Sequence, residues 1–511
     1  MFARINSVGL GGVDGYMVEV EADAHQGIPG FFITGALSTE TREAQFRVWN
    51  AVKNSGIRIE PKKITVNLSP ASVRKNGTAY DLAIAAALLV SCGILRQEDT
   101  AEYVFLGEMG LDGTVKRING ALPLAEAAAK NGIKRMIVPV ENMDEASIVE
   151  GMEAIGVSSI REVIALFRDG VIPENVCRHD AAHEEKESYE LDFKDVHGQH
   201  YLKRAAEIAV GGRHNILFSG PAGTGKTMIA KRMNTILPEL SHRENIEISK
   251  VYSICGLLPE GKPLLSARPF RSPHHSISTA AFAGGGSNAM PGEISLASGG
   301  VLFLDELPLY SREILENLRE PLEDRKITVS RFRASCTYPA DFQLVAAMNN
   351  CCCGMYPSNR CSCTPGQIKA YMGRLSRPLM ERIDICAEAS PVKYEEFTGK
   401  ISADEECSAD IRERIKRVRL IQQKRFGNDF MYNSRMSVGE IEMYCVMEPE
   451  AEEFLKSAFT RKMLSGRTYH KVLKVARTIA DMEESGRLSL KHISEAMQLR
   501  SLEDRLFQKL K

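Results

Sequence analysis

The feature that most constrains this sequence is the run GPAGTGKT at residues 220–227. It matches the pattern G-x-x-x-x-G-K-[S/T] at every fixed position. It follows the apolar run NILFS and precedes MIAKRMNTIL, whose composition is typical of a helix. A strand, a glycine-rich turn and a helix in this order form a phosphate-binding loop, or P-loop. The run therefore predicts an α/β fold that binds ATP, and the complete motif disfavours the alternative, a turn that binds nothing.

The residues of the P-loop have distinct physical tasks in this prediction. The glycines allow backbone N–H groups to close around phosphate oxygens, and the helix N-terminus adds partial positive charge. Lys226 is expected to reach the β- and γ-phosphates, and the Thr227 hydroxyl to ligate Mg²⁺. The predicted nucleotide-binding residues are Gly220, Pro221, Ala222, Gly223, Thr224, Gly225, Lys226, Thr227 and Asp305.

The run GGVLFLDEL at residues 299–307 supplies the second half of the predicted site. Its apolar residues indicate a buried strand, and Asp305 and Glu306 stand at the carboxyl end, where ligands of open α/β sheets bind. Asp305 suits the Mg²⁺ shell, and Glu306 suits polarisation of the attacking water. A strand that ends in Asp-Glu can instead cap a helix, but the P-loop favours the catalytic interpretation.

Three further polar residues are candidates for catalytic roles. Asn349 ends the apolar run FQLVAAMN and could orient the water and the γ-phosphate; the alternative is a turn residue. Arg382, in LSRPLMERIDI, could be an arginine finger inserted into a neighbouring subunit, or a surface residue paired with Glu381 or Asp384. Arg467, in LSGRTYHKVLKVARTIAD, could reach the γ-phosphate from the start of a helix.

The overall composition excludes little. With 65 Lys and Arg against 66 Asp and Glu, the formal net charge is -1, so DNA would have to bind a local basic surface. The sequence has no apolar run of about 18 residues and no secretory signal in MFARINSVGLGG. We therefore expect a cytoplasmic protein without a membrane partner.

Changes in residue composition and hydrophobic pattern along the chain predict three domains and a linker. Residues 1–170 read as an α/β domain, and residues 171–195, with the charged run HDAAHEEKESYE, as a linker. Residues 196–390 alternate apolar strands with helices, which favours a parallel sheet covered on both faces. Residues 391–511 resemble amphipathic helices. Strands are predicted at 64–70, 136–140, 215–220, 300–307, 342–349 and 382–389, and helices at 81–91 and 121–132.

The order of these motifs, with PGEISLASGGVLFLDEL and VAAMN followed by clustered cysteines, resembles the ComM/YifB subfamily of the magnesium-chelatase-like AAA+ ATPases. The resemblance covers essentially the whole chain. It implies an AAA+ core, a helical C-terminal lid and a homo-oligomeric ring, a hexamer, with ATP and Mg²⁺ at the subunit interfaces. It also implies the roles given above for Lys226, Thr227, Asp305, Glu306 and Asn349, and for the two arginines as arginine finger (Arg382) and sensor 2 (Arg467).

Two stretches resemble the pore-lining insertions of this clade. Residues 281–295, AFAGGGSNAMPGEIS, have glycines that allow a flexible loop, and residues 325–342 are predicted to form a β-hairpin. Lys326, Arg331 and Arg333 give that hairpin local positive charge, which suits contacts to DNA phosphates. The alternative is a solvated hairpin without a ligand.

Five of the twelve cysteines fall between Cys351 and Cys363. Two Cys-x-Cys pairs, Cys351/Cys353 and Cys361/Cys363, could bind Zn²⁺ through four thiolates, although free thiols remain an alternative. The sequence departs from the subfamily pattern at Asn350 and Cys352, where proline is usual, so Cys352 is an additional thiol.

The first block resembles the S5-like fold of the Lon protease domain in RKNGTAYDLAIAAALL and in FLGEMGLDGTVKRINGALPLAEAAAKNG. A Lon-type serine is missing from Thr78-Ala79-Tyr80, and the lysine is missing from Leu122-Pro123-Leu124. The sequence is thus interpreted as an ATP-driven DNA translocase, for example a branch-migration helicase. The alternatives are a chelatase-type motor that remodels a protein and, less favoured, an ATP-dependent protease.

Overall fold

The computed structural model describes residues 1–173, 176–178, 190–259, 261–286, 289–331, 334–390, 406–462 and 464–500. Two large sheets and a group of C-terminal helices organise this part of the chain. It contains no helix that is long and apolar enough to cross a membrane.

The first domain is built on a mixed eight-stranded sheet. Its strands, in spatial order, are Val176–Arg178, Glu153–Val157, Arg135–Pro139, Tyr103–Phe105, Phe2–Gly11, Asp14–His25, Lys63–Ser69 and Gly30–Thr34. Its helices of five or more residues are Thr39–Asn54, Asp81–Ser91, Ala121–Lys130, Met143–Ser147 and Ile160–Asp169. The strands predicted at 64–70 and 136–140 and the helices predicted at 81–91 and 121–132 are confirmed. All residues of Asp81–Ser91 are buried, which explains why this segment is apolar on every side.

The second domain contains a five-stranded sheet whose strands all run parallel. Their spatial order is Phe270–Arg271, Val301–Leu304, Gln343–Met348, Ile216–Ser219 and Ile385–Glu388. The main helices around the sheet are His200–Gly212, Lys226–Arg232, His242–Ile254, Arg312–Glu316, Arg319–Asp324 and Pro365–Met372. The four predicted strands are confirmed. The short strand Phe270–Arg271 was not predicted, because two residues give no periodic signal.

The segment predicted as a linker, residues 171–195, is structured in its described parts. Val176–Arg178 adds an antiparallel strand to the edge of the first sheet. Near the other end, Asp192 caps a short 3₁₀ turn, and Phe193 is completely buried. The charged composition concealed these two anchors, because a single buried aromatic residue and a three-residue strand barely change a window average.

In its described residues, 406–462 and 464–500, the third region is mainly helical, as predicted. Its helices are Ser408–Phe426, Val438–Tyr444, Pro449–Lys462, Gly466–Met482 and Leu490–Gln498. Buried residues of these helices, such as Val472 and Ile479, belong to the same apolar cluster as Ile216 and Phe218 of the parallel sheet. Helices Ser408–Phe426 and Gly466–Met482 both contact helix His200–Gly212, so the C-terminal helices and the parallel sheet share one core.

The first domain docks on the second through two helices. Ala121–Lys130 packs against His242–Ile254, and Lys250 Nζ lies 2.7 Å from a carboxylate oxygen of Glu126. The buried carboxylate of Glu145 accepts hydrogen bonds from the Leu122 N–H and from the Ser253 hydroxyl. These polar contacts fix the relative placement of the two sheets.

Candidate functional site

The P-loop connects strand Ile216–Ser219 to helix Lys226–Arg232 at the carboxyl edge of the parallel sheet. Gly223 and Gly225 have φ angles of 77° and 83°, which residues with a side chain rarely adopt. The turn therefore requires glycine at these positions. The backbone path is the strand–turn–helix that the motif predicted.

Lys226 points back into this loop. Its Nζ donates to the carbonyl oxygens of Gly220 at 3.0 Å and Pro221 at 2.7 Å, and to Asn349 Oδ1 at 3.2 Å. Burial lowers the pKa of the Lys226 ammonium, and the negative charge of Asp305 acts in the opposite direction. The ammonium is thus held inside the loop by neutral acceptors, which phosphate oxygens can replace.

A hydroxyl and a carboxylate meet beside the P-loop. Thr227 Oγ1 donates to Asp305 Oδ2 at 3.0 Å, and Asp305 directly follows strand Val301–Leu304. Oxygen ligands of these two types are those that Mg²⁺ takes from a protein that also binds phosphates. The residues present therefore fit the predicted magnesium shell.

Glu306 lies at the mouth of this site with a φ angle of 52°, and its N–H donates to Asp305 Oδ1 at 2.9 Å. Its side chain is half exposed, and one carboxylate oxygen lies 3.9 Å from His275 Nδ1. The ring of His275 lies 4.0 Å from that of His274, tilted by 36°, and meets the edge of Tyr310, whose hydroxyl donates to the Pro273 carbonyl at 2.5 Å. Sequence reasoning missed His275, although two adjacent histidines after a proline are a usable signal.

Asn349 follows strand Gln343–Met348, which pairs in parallel with the P-loop strand. The shared carboxyl edge explains why its amide oxygen reaches Lys226. The structure therefore brings together five predicted site residues, Lys226, Thr227, Asp305, Glu306 and Asn349.

Arg382 and Arg467 lie at the opposite edge of the same sheet. The Arg382 carbonyl accepts a hydrogen bond at 3.1 Å from Asn215 Nδ2, and Asn215 precedes the P-loop strand. Arg467 Nη1 lies 3.4 Å from Glu381, the neighbour of Arg382 in sequence. Both arginines line one charged pocket with Asn215, Asp341 and Asp384, which all precede strands of the sheet. The sheet thus separates both arginines from the P-loop of their own chain.

The two arginines differ in exposure. Arg382 contacts Glu323, and its Nη1 donates to the Pro378 carbonyl at 2.6 Å; its side chain is only 11% exposed. The Arg467 side chain is 68% exposed and begins helix Gly466–Met482. Arg467 is therefore mostly open to solvent beside Glu381, whereas Arg382 is held against Glu323.

The two candidate pore segments pack on each other. Residues 325–342 contain the predicted hairpin, Lys326–Arg331 paired with Ala334–Pro339; the side chain of Arg331 and all of Arg333 lie outside the described residues. The glycine-rich segment is more ordered than predicted, with helix Thr279–Ala283 and a ladder of Gly284–Gly285 with Met290–Pro291. Tyr338 donates to the Ala289 carbonyl at 2.9 Å, so the segments are joined.

The predicted metal ligands Cys351, Cys353, Cys361 and Cys363 form one cluster. The Sγ of Cys351 lies 3.4 Å from that of Cys353 and 3.7 Å from that of Cys361. Backbone N–H groups of Met355 and Ser362 lower the pKa of the Cys353 thiol to about 6. Cys352 stands outside the cluster, exposed, with its Sγ 3.3 Å from that of Cys363.

Residues 78–80 of the first domain, where a Lon-type serine would stand, make contacts that stabilise the fold. Tyr80 is buried, and Thr78 Oγ1 donates to Glu108. The next residue, Asp81, is buried and forms a bidentate ion pair with Arg47, at 2.7 and 2.9 Å. Burial raises the pKa of Asp81 to about 6, although Arg47 acts to lower it.

Comparisons with known proteins identify the family of the whole chain. The family profile "Magnesium chelatase, subunit ChlI" matches residues 192–397, "Subunit ChlI of Mg-chelatase" matches 20–142, and "Magnesium chelatase, subunit ChlI C-terminal" matches 405–500. Uncharacterized protein YifB of Escherichia coli K12 is 39% identical over 495 residues, which are 97% of this chain and 96% of YifB. Competence protein ComM of Haemophilus influenzae is 38% identical over 503 residues, 98% of this chain and 97% of ComM.

This chain belongs to the ComM/YifB family of magnesium-chelatase-like AAA+ ATPases. Membership in the ComM/YifB family implies the use of ATP and Mg²⁺, and the geometry of Lys226, Thr227 and Asp305 fits both. A Lon protease of Acinetobacter baumannii is 29% identical over 176 residues, 32% of this chain and 21% of that protease. That similarity covers only part of each protein, so it does not support proteolytic activity of this chain.

Proposed function

We propose that this ComM/YifB-family protein is a hexameric ring motor that hydrolyses ATP at its subunit interfaces and moves on DNA, as a helicase or branch-migration translocase. The observation that carries the proposal is the placement of Arg382 and Arg467 at the sheet edge opposite the P-loop. A site with its binding loop on one edge and its arginines on the other is completed by a second copy of the chain.

The length of the P-loop strand supports action in trans. Ile216–Ser219 spans about 13 Å at roughly 3.3 Å per residue, and Asn215 and Gly220 stand at its two ends. Because the Arg382 backbone is hydrogen-bonded to Asn215, its guanidinium lies near the amino ends of the strands, away from the P-loop of its own chain. In a closed ring each subunit would offer Arg382 and Arg467 to the ATP of its neighbour.

In this proposal the residues of one chain divide the work of hydrolysis. Lys226 and the loop amides hold the phosphates, and Thr227 and Asp305 would hold Mg²⁺, which when bound would neutralise charge on the phosphates. Glu306 accepts a proton from the attacking water, while Asn349 orients it. The neighbour's arginines stabilise charge in the transition state.

The DNA part of the proposal rests on the hairpin 325–342 and on the name of the relative ComM, a competence protein. The hairpin carries Lys326, Arg331 and Arg333 and packs on the glycine-rich segment through Tyr338. Several copies brought together in a ring would form a basic surface, although the whole chain has a net charge of only -1.

The second candidate function is remodelling of a protein partner. The three family profiles, all described for a magnesium chelatase subunit, favour it. In that function the same ATP site would respond to a protein and not to DNA.

The test uses Glu306→Gln, which should retain ATP. With ATP and Mg²⁺ we expect light scattering to give the mass of a ring, and a fluorescent branched DNA to bind with strong salt dependence. Lys226→Ala on its own is the control that should do neither, because it holds no ATP; mixed with ATP-bound subunits it can still enter a ring. A protein that binds ATP but stays monomeric would contradict an ATP site shared between subunits. A ring that does not bind DNA at low salt would favour the remodelling function.

A further inference from the structure

We propose that Cys351, Cys353, Cys361 and Cys363 hold a soft divalent cation of the Zn²⁺ class, and that the metal-bound loop braces the P-loop. The metal site stands on its own geometry, whereas the bracing role rests on ATP binding at the P-loop. A structural ion next to a nucleotide site would make metal content a condition for ATP affinity.

The spacing of the sulfur atoms fits a tetrahedral ion. Four thiolates at about 2.3 Å from Zn²⁺ lie about 3.8 Å from one another. The observed Sγ–Sγ distances are 3.4 Å for Cys351–Cys353, 3.7 Å for Cys351–Cys361 and 3.6 Å for Cys353–Cys361. All four ligand atoms lie within 4.8 Å of one another. A disulfide would need about 2.05 Å, and the cysteines are free.

The loop needs such an ion because it has almost no core. Residues 349–364 contain no helix or strand, and the structure describes all of them. Within 351–364 only Cys351 and Gly354 are buried. The Tyr356 N–H points at Cys351 Sγ over 3.3 Å, a contact that stabilises a thiolate. Irregular loops of this length are uncommon inside a compact domain, and the thiol cluster lies where a bound ion would hold this loop together.

The same loop contacts the P-loop at two points. The Ala222 N–H donates to the Gly354 carbonyl at 2.8 Å, and Lys226 Nζ donates to Asn349 Oδ1 at 3.2 Å. Cys351 and Cys353 stand between Asn349 and Gly354 in sequence. An ion that fixes these two cysteines therefore fixes both contacts to the nucleotide site.

Gly354 makes the second contact possible. Its φ angle is 77°, and a Cβ at this position would lie 3.0 Å from Ala222 Cβ. A side chain there would strain the backbone and push against Ala222 of the P-loop, while all four cysteines would remain in place as ligands. Gly354→Ala therefore tests the contact between this loop and the P-loop without removing a metal ligand.

The experiment measures zinc by elemental analysis and ATP affinity with a fluorescent analogue, on full-length protein purified without chelators. We expect about one zinc per wild-type chain. Cys361→Ser should lose the metal and bind the analogue more weakly, while Cys352→Ser, an exposed thiol of the same loop, should retain both. Gly354→Ala should keep its zinc and bind the analogue about five- to tenfold more weakly, the factor expected for one lost backbone hydrogen bond.

If Cys361→Ser fails to fold, a second measurement on wild-type protein replaces it. A mercurial reagent would release zinc from wild-type protein, and thiol exchange followed by added zinc should restore analogue binding. A metal-free wild type with four reactive thiols would overturn the metal site. Zinc loss from Cys352→Ser but not from Cys361→Ser would overturn the ligand set. If the protein contains zinc and its affinity for the analogue is unchanged after zinc release, the metal-bound loop does not support the P-loop. A protein that contains zinc but never binds ATP would instead contradict the proposed function.

Discussion

The ammonium group of Lys226 donates a hydrogen bond to Asn349 Oδ1 over 3.2 Å. This contact links the P-loop to the end of the neighbouring parallel strand, Gln343–Met348. Lys226 also contacts the carbonyl oxygens of Gly220 and Pro221. Phosphate oxygens must replace part of this set, so nucleotide binding would change the contacts of Asn349 at the same time.

The two halves of the site should fail in different ways. Lys226→Ala should weaken ATP binding, because the cation that meets the phosphates is removed. Glu306→Gln should bind ATP normally and lower hydrolysis by about 10²–10⁴, the usual contribution of a general base. Equilibrium binding of a fluorescent analogue and steady-state phosphate release check the two effects. A Glu306→Gln protein with the wild-type rate would exclude Glu306 as the base.

The arginines should act on the ATP of a neighbouring chain. Arg382→Ala should retain ATP binding but lose hydrolysis by roughly 10³-fold or more, as for other arginine fingers. Mixing it with Lys226→Ala should restore part of the rate, because some interfaces then combine an intact P-loop with an intact arginine.

Arg377→Ala is the matched control for this experiment. Arg377 is exposed and pairs with Glu381, as Arg467 does, but it has no assigned role in hydrolysis. We expect nearly wild-type turnover from it. Mixtures of Arg382→Ala and Lys226→Ala that stay inactive at every ratio would argue against the shared site.

The hairpin should determine DNA affinity without affecting the basal ATPase rate. We expect the triple variant Lys326→Ala, Arg331→Ala, Arg333→Ala to bind DNA more weakly and with a shallower salt dependence, because fewer phosphates are neutralised. Fluorescence anisotropy across a salt series measures both. Lys53→Ala, Arg58→Ala, Lys134→Ala removes the same charge from exposed positions of the first domain. Equal losses in both triple variants would mean that the hairpin is not the DNA contact.

Asp81 should make the first domain less stable at neutral pH than at mild acidity. Burial raises the pKa of Asp81 to about 6 in the folded state, above its unfolded value of about 3.9. The folded state therefore binds a proton more tightly, and this stabilisation, present below about pH 3.9, is lost as the pH rises through about 6. The shift corresponds to roughly 3 kcal/mol.

The measurement compares thermal unfolding of wild type and Asp81→Asn between pH 4 and 7. Wild type should lose stability relative to the variant as the pH rises, since asparagine carries no charge to bury. Asp144→Asn, at an exposed carboxylate, should leave the pH profile unchanged. A wild type that gains stability over Asp81→Asn from pH 4 to 7 would show that the Arg47 ion pair outweighs burial.

The parallel sheet and the half-site around the P-loop could be predicted because their signals are local. Ile216–Ser219 and Val301–Leu304 are short buried strands, followed directly in sequence by the P-loop and by Asp305-Glu306. The sequence could not give the side of the sheet on which Arg382 and Arg467 lie, since that depends on strand order and on the packing of the C-terminal helices.

Other features were missed because their partners are distant in sequence. His275 lies beside Glu306 because strands Phe270–Arg271 and Val301–Leu304, which are far apart in sequence, pair in the sheet. The Gly354 carbonyl finds the Ala222 N–H across more than a hundred residues. Phe193 was hidden by the charged residues of the predicted linker, although burial anchors it firmly.

The most direct test of the central claim is the ATP hydrolysis rate of the wild-type protein with and without DNA. A ring motor that moves on DNA should hydrolyse ATP several-fold faster when branched or single-stranded DNA is added, and the stimulation should disappear at high salt and in the Lys326, Arg331, Arg333 triple variant. The same hydrolysis rate at every DNA concentration, from a protein that assembles and turns over ATP, would contradict the account.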